Sequence, residues 1–172
     1  MPTPTWDLIA ETLTTTVVND VTFTGLTSIS SDYKDLVMVC LIRAQQYDAA
    51  FAMQFNGDTG NNYNFGALYA GGETGQTDYG EIRTYPHFSD GGSNDNWGVR
   101  TVEFHDFSNP SKYKSVLAKG GSSGGFSGGA ADVGQTVGQW ENNSPISSIK
   151  FYGAQGLQLA AGVQFRLYGV AG

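Results

Sequence analysis

The sequence is short of nearly everything that marks a helical, secreted or nucleic-acid-binding protein. It has one cysteine, Cys40, so no intrachain disulfide can form. Its nine lysines and arginines are scattered and stand against sixteen acidic residues, a formal charge of −7. Phosphate backbones and anionic membranes are held by clustered cations, so neither nucleic acid nor a membrane is expected as a partner. The longest unbroken apolar run, residues 36–42, has seven residues, against the ~20 that cross a bilayer. The N-terminus, Met1-Pro2-Thr3-Pro4-Thr5-Trp6, lacks the basic and apolar regions of a signal peptide, and synthesis in a cytoplasm is expected. Charged residues make up 15%, below the usual ~25%. No segment carries a sustained apolar stripe of helical period, which excludes helices as the main element and with them a doubly wound α/β fold.

What the chain does have is glycine, 24 of 172 residues, and 13% aromatics. Residues 36–42 are apolar at every position, the pattern of a strand covered on both faces. Residues 51–56 alternate, with Phe51, Met53 and Phe55 on one face and Gln54 and Asn56 on the other. Further strands are expected at residues 21–24, 63–69, 79–88, 97–107, 113–118, 133–140, 146–152 and 163–170. The pair at 97–107 and 113–118 reads as a hairpin across Ser108-Asn109-Pro110-Ser111. Residues 71–77 and 120–129 read as polar, glycine-rich loops. Residues 6–13 fit a strand or a short helical turn, and the β-branched residues 14–16 argue for a strand that continues into Val17-Val18. About ten short strands punctuated by turns predict a single-domain, all-β antiparallel sandwich or barrel. Its body runs over residues 16–172, and residues 1–15 form a segment that is either an arm or the first strand. No internal repeat indicates a propeller or solenoid.

Catalytic chemistry finds little purchase. His87 and His105 are too few for an all-histidine zinc site and lie in no metal-binding spacing. Alternation puts His105 and Asp106 on opposite strand faces, and Glu103 and Asp106 likewise, so neither pair makes a cleft. There is no G-x-S-x-G, and Cys40 sits in the most apolar strand, where it reads as inert packing. The chain is therefore read as a non-enzyme without cofactor. Two loops carry oxygen donors loosely suited to calcium, Asn56 and Asp58 in one, Asp90 and Asp95 in the other. Neither has the carboxylate set of a calcium loop, so no metal is assigned. The aromatics are better candidates. Tyr63, Tyr69, Tyr79, Trp97 and Trp140 lie in or beside Asn- and Asp-rich stretches, where they can stack on sugar rings or fill a core or subunit interface.

Three stretches carry a resemblance. The C-terminal strand Phe165-Arg166-Leu167-Tyr168-Gly169-Val170 has the form F-x-L-Y-G-V. The stretch Phe55-Asn56-Gly57-Asp58 followed by Asn62-Tyr63 comes after the apolar strand. The turn His105-Asp106-Phe107-Ser108-Asn109-Pro110-Ser111-Lys112-Tyr113-Lys114 closes a strand. In their order along the chain they resemble small bacteriophage virion proteins of the marine and cyanophage type, over most of residues 20–170. The resemblance implies a virion component made in the host cytoplasm and supplies no catalytic residues. Such proteins often adopt jelly-roll sandwiches, so a jelly-roll-like fold is expected here. Candidate strands run almost from one end of the chain to the other. That favours a lone compact domain, a capsid decoration (cement) protein or short knob, over a long fibre. Its partners are then other capsid or tail proteins and further copies of itself, a trimer being one arrangement. The alternative is a receptor- or glycan-binding tip module of a tail fibre, contacting a host-surface glycan.

Overall fold

A computed structural model describes residues 6–45, 49–70, 72–88, 97–122 and 131–171. The candidates Asp90 and Asp95, and most of the glycine tract at 120–129, lie outside them. In chain order the strands are β1 (Asp7–Leu13), β2 (Asp20–Phe23), β3 (Asp35–Ile42), β4 (Ala49–Phe55), β5 (Tyr63–Tyr69), β6 (Gly72–Tyr79), β7 (Ile82–Phe88), β8 (Gly98–His105), β9 (Lys114–Ser122), β10 (Asp132–Trp140), β11 (Ile149–Gly153) and β12 (Gln164–Val170). Two short 3-10 turns, Leu26–Ile29 and Ala154–Gly156, are the helical elements among the described residues.

All pairings are antiparallel. An eight-stranded sheet runs β1-β12-β3-β8-β9-β10-β5-β6 and packs on a four-stranded sheet β2-β11-β4-β7. Four pairs share a rule. β1 lies on β12, β2 on β11, β3 on β8 and β4 on β7, alternating between the sheets. This is one long antiparallel ribbon rolled over itself, the jelly-roll topology. Two hairpins are inserted in it, β5–β6 after β4 and β9–β10 after β8, and both widen the larger sheet.

The alternation read from the sequence builds the interior. On β8, Arg100, Val102 and Phe104 point inward while Val99, Thr101 and His105 face out. On β12, Phe165 and Leu167 point inward. Phe151 of β11 stacks on Phe51 (centroids 5.3 Å apart) and on Phe165 (5.4 Å), with Phe23 edge-on at 6.3 Å. A second cluster joins Phe55 to Trp140 (5.6 Å), Phe104 (5.9 Å) and Tyr63 (6.1 Å). Offset and edge-on aromatic pairs of this kind add ~0.5–1.5 kcal/mol each beyond area burial.

The described residues form twelve strands rather than about ten. Residues 71–77, expected as a loop, belong largely to β6. That strand is the last of its sheet and is exposed along most of its length, so no alternation marks it. Residues 7–13 form β1, an edge strand paired with β12 of the same chain. The strand expected at 146–152 starts at Ile149.

Candidate functional site

The outer face of the eight-stranded sheet is the first unusual surface. Residues 36–42 meet cover on both sides only in part: on the outward side Val37 is buried, but cover is lost toward Leu41. Leu36, Met38, Cys40 and Ile42 are buried in the core, whereas Leu41 points outward and is 38% exposed. In register beside it stands Val99, 55% exposed, and Val99 faces Gly121, which faces Val133, 67% exposed. Leu68 and Val137 extend the patch onto β5 and β10. Glycines leave the backbone bare between these side chains. At Gly121, in register between Val99 and Val133, a Cβ would come within 2.9 Å of the Asp132 carbonyl. The result is two shallow hollows of about 510 and 590 Å³, shaped by Leu68, Val133, Val137 and Gln135. Lys119 and Glu103 cross the same face as an ion pair at 2.7 Å.

The second surface is a polar groove of about 370 Å³ beside the four-stranded sheet, where Gln54, Tyr79, Glu81, Arg83, Tyr152 and Gln155 converge. A chain of charge-assisted bonds runs along it. The Tyr152 hydroxyl donates to Glu81 Oε2 (2.5 Å). Arg83 Nε donates to Glu81 Oε1 (2.6 Å), and an Arg83 terminal nitrogen donates to the Tyr79 hydroxyl (2.6 Å). Arg83 also lies over the Tyr79 ring, 4.8 Å from its centre. Gln54 Nε2 donates to the Gly80 carbonyl (2.8 Å). Burial, then the Glu81 carboxylate, pushes the Tyr152 hydroxyl well above its usual pKa, so it stays a donor.

The candidates named from sequence separate into groups. Tyr63 and Trp140 are fully buried, which overturns their reading as glycan or interface contacts. Alternation aims both into the second aromatic cluster, stacked 6.3 Å apart. Tyr69 is half-buried and stacked on Tyr85 at 5.1 Å. Trp97 is half-buried with Arg43 over its ring, 5.2 Å from the centre. Tyr79 alone of the five lines the groove.

The calcium candidates Asn56 and Asp58 are turn-builders. Asn56 and Gly57 both take positive φ, 55° and 70°, and the Asp58 N–H donates back to Phe55 O at 2.8 Å, a tight turn of the primed kind. Asn56 Oδ1 accepts from Ser147 N, Ser147 Oγ and Ser148 N (2.7, 2.9 and 3.1 Å). Asp58 accepts from Gly60 N (2.9 Å), Asn62 Nδ2 (2.9 Å) and Trp140 Nε1 (2.8 Å). These oxygens are already occupied by protein donors. Among the described residues no cluster of three His, Cys, Asp or Glu side chains could hold a metal ion.

The stretches that carry the virion resemblance have structural work of their own. In the turn after β8, Asp106 adopts φ 49° and pairs with Lys112 at 2.7 Å. Lys114 is buried and its ammonium donates to three carbonyls, Asn109 (2.5 Å), Lys112 (2.6 Å) and Asn143 (3.2 Å). His105 sits outward within 3.7 Å of Asp35 and 3.6 Å of Glu103. Comparison with protein-family models, curated proteins and solved structures returns no match.

Proposed function

We propose that this chain is a non-enzymatic structural protein of a bacteriophage virion, a capsid decoration or short knob protein, and that it binds its neighbours through the outer face of the eight-stranded sheet. The observation that carries the reading is β3, a strand apolar on both sides whose outward residue Leu41 lies in register with exposed Val99 on a face rimmed by Val133 and Leu68. Contiguous exposed apolar side chains of this kind favour a docked partner. Eight strands give a face roughly 35 Å by 25 Å, about the ~800 Å² per partner of a standard interface. The acidic balance of the chain suits a place outside the shell, away from the genome. The resemblance of the three motifs to small phage virion proteins points the same way.

Light scattering behind a sizing column tests it. The wild-type chain should associate into a closed oligomer, with a trimer near three times 18.3 kDa as the leading arrangement. Val99→Asp combined with Val133→Asp should give a monomer with an unchanged thermal melt, because both side chains lie outside the core. A wild-type monomer up to its solubility limit, or an oligomer indifferent to these substitutions, would refute docking between copies through this face.

A further inference from the structure

We infer that the groove between β7 and the Ala154–Gly156 turn is a binding site for a neutral sugar, an uncharged pyranose with adjacent hydroxyls. It is a site separate from the docking face and stands or falls independently of it. A sugar hydroxyl both donates and accepts, so a sugar site interleaves donors and acceptors with flat apolar surface. The groove has that composition. Glu81 presents carboxylate oxygens that each hold one protein donor, Oε1 from Arg83 and Oε2 from Tyr152, and each retains acceptor capacity. Arg83 contributes a planar fork of N–H groups, and Tyr79 a hydroxyl that accepts from Arg83 and keeps its own O–H to donate. Gln54 is pinned through its Nε2 to Gly80, leaving its amide oxygen as an acceptor. Two half-buried tyrosine rings, Tyr79 and Tyr152, border the groove; Arg83 lies over the first (4.8 Å) and Lys150 over the second (5.2 Å), so one face of each is already taken and the ligand meets the rest.

Three features argue for this ligand class over others. The Glu81–Arg83 pair is neutral overall with side chains only 13% and 16% exposed, and Lys150 over the Tyr152 ring is answered by Asp20 at 3.6 Å, so the charges around the groove are matched and favour neither a phosphate nor a cation. The polar groups are linked in one chain, Tyr152 to Glu81 to Arg83 to Tyr79, which fixes their positions before a ligand arrives. One lip is held in left-handed backbone by a non-glycine residue, Gln155 (φ 63°). Such conformations are retained where the surroundings demand them.

The test is saturation-transfer NMR on the purified chain with the methyl glycosides of glucose, galactose and mannose and with N-acetylglucosamine. A parallel arm uses dextran and mannan. At least one monosaccharide should bind, and Gln155→Gly, which removes an exposed amide lining the groove and able to bond a sugar hydroxyl, should weaken it about 3- to 10-fold, the worth of one hydrogen bond. That variant removes an exposed amide and relieves the left-handed backbone, so it should fold normally. Arg83→Gln should weaken binding further. Tighter binding of a polymer than of its monomer would assign the ligand to a surface glycan, and equal binding to a free sugar; both support the site. No transfer from any of these sugars, transfer undiminished in Gln155→Gly, or displacement of the sugar by inorganic phosphate would overturn it.

Discussion

Lys114, buried, and Asp58, half-buried, are two charges that the protein meets with its own hydrogen-bonding groups. Lys114 meets three carbonyls around the turn after β8, and burial draws its pKa below the ordinary lysine value without leaving a donor unused. Asp58 is the counterpart at the β4–β5 corner. Burial works against its charge, but the N–H groups of Gly60, Asn62 and Trp140 outweigh burial and hold its pKa below the usual carboxylate value. A depressed folded pKa adds stability that is complete above the unfolded value of ~3.9 and fades as pH falls through the folded pKa. Acidification from about pH 5 to pH 3 should therefore destabilise wild type more than Asp58→Asn, read as the change in guanidinium midpoint. Equal changes would sink the idea. At neutral pH, Asp58→Ala should cost ~1–3 kcal/mol, because it strands the buried Trp140 N–H. The Asn-Gly-Asp string was legible as a turn. That its carboxylate would serve a tryptophan 82 positions away was not.

Among the elements, β12 explains the glycine of its F-x-L-Y-G-V pattern. A Cβ on Gly169 would fall into the Tyr33 ring, which lies flat across the strand there. Tyr33 then reaches Asp7 Oδ2 on β1 with its hydroxyl (3.1 Å). One aromatic ring thus covers a glycine and fastens the edge strand, a recognised device in sheets. Gly169→Ala should push the ring aside and cost ~1–3 kcal/mol. Amide exchange in β1 should accelerate more than exchange in β8, and equal acceleration of the two would show that Tyr33 does not tether β1. Element boundaries were legible to within two residues in β4, β8 and β12, but β11 starts three residues later than expected and β9 runs four residues further, into the glycine tract. β6 was not legible, because an edge strand wet on both sides needs no apolar alternation. The groove was invisible for a different reason: its residues come from separate segments around positions 54, 80 and 154, joined only by folding.

At the scale of the whole molecule, both sheets close on one core, and Phe151 touches aromatic rings from each of them, Phe51 in the smaller and Phe104 and Phe165 in the larger. Neither sheet can keep its inner face dry alone, so the chain should unfold in one transition. Cys40 reports on it. It is 1% exposed, and burial pushes its thiol well above the normal range. A thiol reagent should modify it only at the rate of global unfolding, and Phe151→Ala, at ~3–5 kcal/mol, should accelerate that modification sharply. Rapid labelling of the native protein would mean that the larger sheet opens locally at β3. Because β1 must find β12 and β2 must find β11 across nearly the full chain, folding should be slow, in the millisecond-to-second range.

Composition and period-two alternation settle the class of this protein. Scarce charge, abundant glycine and aromatics, and inward-facing Phe, Met and Val at every second position admit only packed sheets, and lone Cys40 leaves the core to hold them without staples. Those signals are local, since alternation is a property of five or six neighbouring residues. Sheet order, the rolled ribbon, the inward turn of Tyr63 and Trp140, the outward turn of Leu41 and Val99, and the meeting of Tyr79, Glu81, Arg83 and Tyr152 are non-local. They depend on which strands pair and which side of each sheet faces its partner, and those choices are made by burying all the apolar faces together.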